Sequence, residues 1–124
     1  MRIIETKNAP GAIGPYSQAV EVDGTLYCSG QIAIDPKTGE VSKGGVPEQT
    51  KLVMSNIEGL LKAADYSLAH VVKTTIYLTD MNDFATVNEI YGTYFKTNPP
   101  ARSTVAVAGL PKGVKVEIEV LARR

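Results

Sequence analysis

The chain of 124 residues reads as an α+β protein, with two helices on one face of a mostly antiparallel or mixed sheet. Three observations predict this. Six short segments are alternating or β-branched and are bounded by Gly, Pro, Asp or Asn; two longer stretches repeat their apolar residues every three or four positions; and the order is β-β-β-α-β-α-β-β.

Each element has its own signal. The strand segments are Ile3 to Thr6, Gln18 to Val22, Thr25 to Ser29, Val71 to Thr79, Ser103 to Val107 and Lys115 to Leu121. Asp23-Gly24, between the second and third, is a two-residue hairpin signal. Pro36 to Gly45 carries loop chemistry within the domain. Pro47 suits the first turn of a helix, and after it Val53, Ile57, Leu60 or Leu61, and Ala64 recur at helical spacing. In the second helix Phe84, Val87, Tyr91, Tyr94 and Phe95 form one stripe, core by default, with Asp80 or Asn82 as N-cap and Asn98-Pro99-Pro100 as the stop. Cys28 alternates with Leu26 and reads as a small core residue, His70 as a surface or edge residue.

Composition limits the function. An apolar content of 44% suffices for one packed domain, residues 1–124. Thirteen basic residues balance thirteen acidic ones, so the basic footprint of a phosphate binder is missing and no nucleic-acid partner is expected. A single cysteine closes no internal disulfide, and no Cys or His spacing suggests a metal. No signal peptide precedes the first strand, and no apolar run approaches the ~20 residues of a membrane helix, so a cytoplasmic protein without a membrane partner is expected. Gly11, Gly14, Gly109 and Gly113 are turn glycines, with no phosphate-binding string.

Side-chain alternation assigns faces. In the last strand Val116, Ile118 and Val120 face the helices, leaving Lys115, Glu117, Glu119 and Leu121 on the outer face. The same parity turns Val72, Thr74, Ile76 and Leu78 inward and Lys73, Thr75 and Tyr77 outward. With Val105 and Val107 inward, Arg102, Thr104 and Ala106 point outward. Arg102 and Glu117 then share a face, provided the register across a hairpin at Gly109 to Gly113 matches valine with valine. An outer face of Tyr27, Ser29, Thr75, Tyr77, Thr104 and Ala106 carries too little charge for a solvated surface and predicts a covering partner subunit.

Several strings now point to one family. They are Ala12-Ile13-Gly14-Pro15-Tyr16-Ser17-Gln18-Ala19, Ser29-Gly30-Gln31, Pro36-Lys37-Thr38-Gly39-Glu40, Val72 to Asp80, Asn82 to Asn88, Pro100-Ala101-Arg102-Ser103, Leu110-Pro111-Lys112 and Val116-Glu117-Ile118-Glu119. Together and in this order they resemble the RidA (YjgF/UK114) family of 2-iminobutanoate/2-iminopropanoate deaminases. The resemblance implies a chorismate-mutase-like α+β domain with a mixed six-stranded sheet and two helices on one face, assembled as a homotrimer with its active sites between subunits. It maps the arginine that holds the substrate carboxylate to Arg102 and the glutamate that directs water to Glu117. Tyr16, Ser29, Gly30 and Asn88 map to the pocket. Many bacterial members carry cysteine where this chain has Thr104, which rules out a thiol there; the loop Thr97-Asn98-Pro99-Pro100 also looks shorter than in some relatives.

The implied chemistry suits these residue types. An enamine such as 2-aminoacrylate tautomerises to an imine, and water adds to give a carbinolamine that expels ammonia, leaving a ketoacid such as pyruvate or 2-oxobutanoate. No cofactor is needed. A guanidinium gives a small carboxylate two parallel hydrogen bonds, and a glutamate can exchange protons with water and ammonia. Without the resemblance, Arg102 would read as a solvated edge residue, Tyr16 as a packed aromatic and Glu117 as part of a solvent face; Glu119 keeps that reading or a subunit-interface role. Two rival functions remain, a ribonuclease or translation inhibitor and a non-catalytic module binding small carboxylates. The former lacks its basic and aromatic surface; the latter has no evident use for Glu117.

Overall fold

A computed structural model, describing residues 1–124, places β1 (Arg2–Ile4), β2 (Ala19–Val22) and β3 (Thr25–Cys28) in an antiparallel meander. The β2–β3 turn forms as its residues dictate: Asp23 and Gly24 both take left-handed backbone angles, φ 49° and 78°. α1 (Val46–Ala63) follows. Pro47 sits in its first turn, and the side chain of Glu48 reaches back to accept from the Gly45 N–H at 2.9 Å. Its apolar stripe of Val53, Ile57, Leu60 and Leu61 is fully buried.

Beyond α1, β4 (Val71–Leu78) leads through a short turn into α2 (Phe84–Tyr94), which returns the chain to β5 (Ala101–Ala106) alongside β4. Asp80 is the cap of that turn, accepting from the Asn82 N–H at 2.9 Å. β6 (Val116–Arg123) then enters the middle of the sheet, giving the order β1-β2-β3-β6-β4-β5. Only the β4–β5 pair is parallel. The mixed six-stranded sheet and its two helices bury one core that includes Leu26, Ile76, Ile118 and Val120 from the sheet and Met54, Ile57 and Val87 from the helices.

The expected parity holds for β6, where Val116, Ile118 and Val120 are buried and Glu117 and Glu119 lie on the other face. Elsewhere the structure corrects it twice. A register shift between Val71 and Lys73 makes Val71 the buried residue and leaves Val72 47% exposed. More consequentially, β5 and β6 do not pair, so the segment Gly109 to Gly113 is no hairpin and valine-to-valine matching sets no register. β5 takes its register from the parallel ladder with β4: Thr74 stands beside Arg102, Ile76 beside Thr104 and Leu78 beside Ala106. Ladder partners share a face, and Thr74, Ile76 and Leu78 are all buried against the helices. Arg102, Thr104 and Ala106 therefore lie on the helix face, and Val105 on the outer one. The outer face that no helix covers presents Ile3, Tyr27 and Val105, each between 42% and 54% exposed, with Tyr77 and Leu121 half-buried beside them.

Candidate active site

The first part of the site is built by the loop before β2. Gln18 is buried and ties this loop down: its Oε1 accepts from the Thr6 N–H at 2.8 Å, and its Nε2 donates to the carbonyls of Thr6, Ala9 and Pro10 at 3.0, 3.3 and 2.8 Å. A buried amide with all these partners makes a rigid post. The loop it holds displays Tyr16, half exposed, whose hydroxyl accepts from the Ile13 N–H at 3.2 Å.

After β3 the chain continues alongside β6. Ser29 Oγ donates to the Ser17 carbonyl at 2.6 Å, and Gln31 exchanges two backbone hydrogen bonds with Ile118, at 2.8 and 3.1 Å. That bridge lays Gly30 against the side chain of Glu117 so closely that a Cβ on Gly30 would overlap the carboxylate. Any side chain here would push the Glu117 carboxylate aside, so the glycine leaves that carboxylate its place. Tyr16, Ser29, Gly30 and Glu117 all line one cavity of about 390 Å³, together with Ile13 and Lys112. Within the chain the Glu117 carboxylate has neither a hydrogen-bond donor nor an ion pair. Burial, with a smaller contribution from the nearby charge of Glu119, pushes its pKa above the usual carboxylate range.

The second part lies across the sheet. Arg102, on the helix face of β5, donates from Nη1 to Asn88 Oδ1 at 2.7 Å, and its guanidinium carbon lies 5.1 Å from the centre of the Tyr91 ring and 5.5 Å from that of Phe84. Phe84, Asn88 and Tyr91 stand at helical spacing i, i+4 and i+7, so one face of α2 forms the cradle. Thr104, two residues along the same face, has a buried Oγ1 with no hydrogen-bond partner. The expectation that Arg102 and Glu117 share a face is thus overturned. The structure brings Tyr16, Ser29, Gly30 and Glu117 together, gathers Arg102, Asn88 and Thr104 elsewhere, and separates the two groups by the sheet. Cys28 belongs to neither: burial pushes its thiol up to about 12, as befits an inert core residue.

The sequence profile of the family described as Endoribonuclease L-PSP, the RidA family, matches residues 6–124. The chain belongs to the RidA family. It is 57% identical over 121 residues to human 2-iminobutanoate/2-iminopropanoate deaminase, spanning 98% of this chain and 88% of the human protein. The crystal structure of RidA from an Antarctic Psychrobacter superposes with a TM-score of 0.96 at 44% identity, over the full length of both chains. E. coli TdcF with bound serine superposes at 0.95 and 46% identity, covering 100% of this chain and 99% of TdcF.

Two features of this RidA-family site escaped the sequence reading. Lys112 lines the Glu117 cavity from a turn in which it adopts a left-handed φ of 58°; Leu110-Pro111-Lys112 was legible as a string but carried no chemical signal. The aromatic residues Phe84 and Tyr91 were visible only as members of an apolar stripe, a pattern that does not distinguish a ring packed on leucine from one packed on guanidinium.

Proposed function

We propose that this chain is an enamine/imine deaminase that converts 2-iminopropanoate, the tautomer of 2-aminoacrylate, and 2-iminobutanoate to pyruvate, 2-oxobutanoate and ammonia. The observation that carries this reading is the division of the site: a carboxylate free to take a proton lies in a cavity on one side of the sheet, and a guanidinium with free donors is held on the other. A small imino acid cannot touch both faces of one sheet. The working site therefore combines Glu117 of one copy with Arg102 of a neighbour, in the homotrimer that the family resemblance implies. The exposed Ile3, Tyr27 and Val105 on the uncovered sheet face support such an assembly. The name of the human relative supports the reaction, and the serine bound to TdcF, itself a small carboxylate, supports the substrate class.

In this mechanism Arg102 gives two parallel hydrogen bonds to the substrate carboxylate, while Asn88 keeps a third guanidinium N–H engaged. Glu117 accepts a proton from water as the water oxygen bonds to the imine carbon. The π electrons of the C=N bond move to nitrogen, which takes the proton from Glu117 and leaves a neutral carbinolamine beside a carboxylate again ionised. Glu117 then accepts the carbinolamine hydroxyl proton as the carbonyl forms and hands it to the nitrogen as the C–N bond breaks, so that ammonia departs and Glu117 ends ionised. One water is consumed and no oxidation state changes. Its raised pKa suits Glu117 to this exchange, because a carboxylate with a raised pKa is a stronger base and takes the proton of water more readily. Tyr16, Ser29, Gly30 and Thr104 shape the pocket around the carbon skeleton, and Thr104 brings a hydroxyl, not a thiol, to the electrophile.

A coupled assay tests the reading. A dehydratase releasing 2-aminoacrylate or 2-aminocrotonate is mixed with the purified chain, and the intermediate is followed by absorbance. Faster decay supports the deaminase; decay at the solvent rate rejects it. The ribonuclease named by the family description has little support in the site, because His70 contacts Ser67 and lies outside the cavity lining. We expect no RNA gel shift tighter than micromolar at physiological salt, where weak counterion-driven binding disappears. The free cysteine supports a reducing, cytoplasmic setting.

A further inference from the structure

The sheet face that carries Arg102 holds more than its partner Asn88. Tyr91 is buried, its ring packs at a 42° tilt against Phe95 with the centroids 4.8 Å apart, and its hydroxyl shares a 2.8 Å hydrogen bond with Thr74 Oγ1, which is itself fully buried. Thr74 is the residue beside Arg102 in the β4–β5 ladder. The ring is therefore held on α2 by its backbone, against Phe95 just beyond that helix, and at its hydroxyl by the strand that neighbours β5. The guanidinium lies near this ring on one count and near the Phe84 ring on another, with Asn88 accepting from its Nη1.

We infer that Phe84 and Tyr91 are positioning residues for Arg102: two aromatic rings, one of them anchored through Thr74, hold the guanidinium in the orientation that receives the substrate carboxylate before any substrate arrives. An arginine side chain free in solvent samples many rotamers, and a bidentate contact requires one plane. Cation–π contact restrains the plane, and the Asn88 bond restrains rotation within it. Four of the five guanidinium N–H groups stay free of intrachain partners, enough for a two-pronged contact. This inference rests on the proposed role of Arg102 and adds how the protein prepares it.

Two measurements on full-length protein separate the clamp from the role. Side-chain ¹⁵N relaxation of Arg102 Nε in the substrate-free protein reports its order directly, without turnover. We expect an order parameter near the rigid limit of about 0.85 in the wild type, falling below about 0.6 in Tyr91→Leu. Tyr91→Phe keeps the ring and its Phe95 contact, and should restore most of that order. In the deaminase assay the same Tyr91→Leu change should raise KM roughly fivefold to thirtyfold, the equivalent of one lost cation–π contact, with the smaller part of the effect on kcat. Where Tyr91→Leu proves too disruptive to fold, Phe84→Leu carries the same comparison, since Phe84 is only partly buried. Arg102 order that is equal in the wild type and the leucine variants overturns the clamp. So does an equal loss in Tyr91→Phe and Tyr91→Leu, which would assign the effect to the hydroxyl and not the ring. Full activity in Arg102→Ala would instead overturn the functional reading, while the relaxation data still decided whether the rings hold the side chain.

Discussion

Arg102 and Glu117 lie on opposite faces of the same sheet: Arg102 shares the helix face with its ladder neighbour Thr74, whereas Glu117 shares the uncovered face with its neighbour Tyr77. A site that uses both must draw them from different copies of the chain, and this makes complementation the most direct test. Arg102→Ala and Glu117→Gln should each be inactive alone. Mixed in equal amounts and allowed to exchange subunits, they should regain about a quarter of wild-type activity, the random chance that a site pairs an intact arginine with an intact glutamate in a cyclic assembly. A mixture as inactive as its parts would place both residues of each site in one subunit. Sedimentation of the wild type at micromolar concentration should show a trimer and no stable monomer.

Glu117→Gln keeps the shape of the side chain and removes the base. We expect the fold and carboxylate binding to survive and turnover to fall by ~100-fold to ~10,000-fold, nearer the low end because imines already react readily with water. Steady-state kinetics against the coupled background rate checks it.

The pH profile follows from the same residue. Glu117 must be ionised to accept the proton of water, and burial first, then Glu119, raises its pKa. Activity should therefore fall on the acid side at a pH above the usual carboxylate range. Glu119→Gln removes one of the two raising causes and should move this acid limb to lower pH. A limb that stays in place would show that another group controls it.

Arg102→Ala should lower kcat/KM by at least about a hundredfold, since two charge-assisted bonds of roughly 1.5 to 3 kcal/mol each are lost. Arg102→Lys should recover little, because an ammonium cannot reproduce the forked geometry. Pyruvate or 2-oxobutanoate should raise the Tm of the wild type by mass action and leave that of the alanine variant unchanged. An analogue without the carboxylate should be a poor substrate for the wild type.

At Gly30 a methyl group would overlap the Glu117 carboxylate and displace it. Gly30→Ala should cost about a hundredfold in kcat, the scale of an ångström-sized misplacement of a reacting group, with carboxylate recognition by Arg102 of the neighbouring copy affected less. Comparing kcat and KM for this variant with those for Arg102→Ala separates the two halves of the site.

Local chemistry in the sequence was sufficient for the hairpin at Asp23-Gly24, the start of α1 at Pro47, the cap at Asp80 and the alternation of β6, because each depends on a few neighbouring residues and on one buried face. The outward position of Glu117 follows from that alternation alone, and the family strings added its chemical role. The orientation of Arg102 was different. Its strand is alternating, but alternation says only which residues share a face, and choosing the face required knowing the neighbour of β5. The valines suggested the core; the structure instead sets β5 parallel to β4 at the sheet edge, brought there by α2, and leaves Val105 on the uncovered face. An edge strand beneath an aromatic helix can bury an arginine stem as well as a valine, since the guanidinium finds rings and an amide there, and a valine facing out is stable if another subunit covers it. Strand order and the bulge at Val71 to Lys73 are likewise long-range outcomes, set by which surfaces the whole chain manages to bury together.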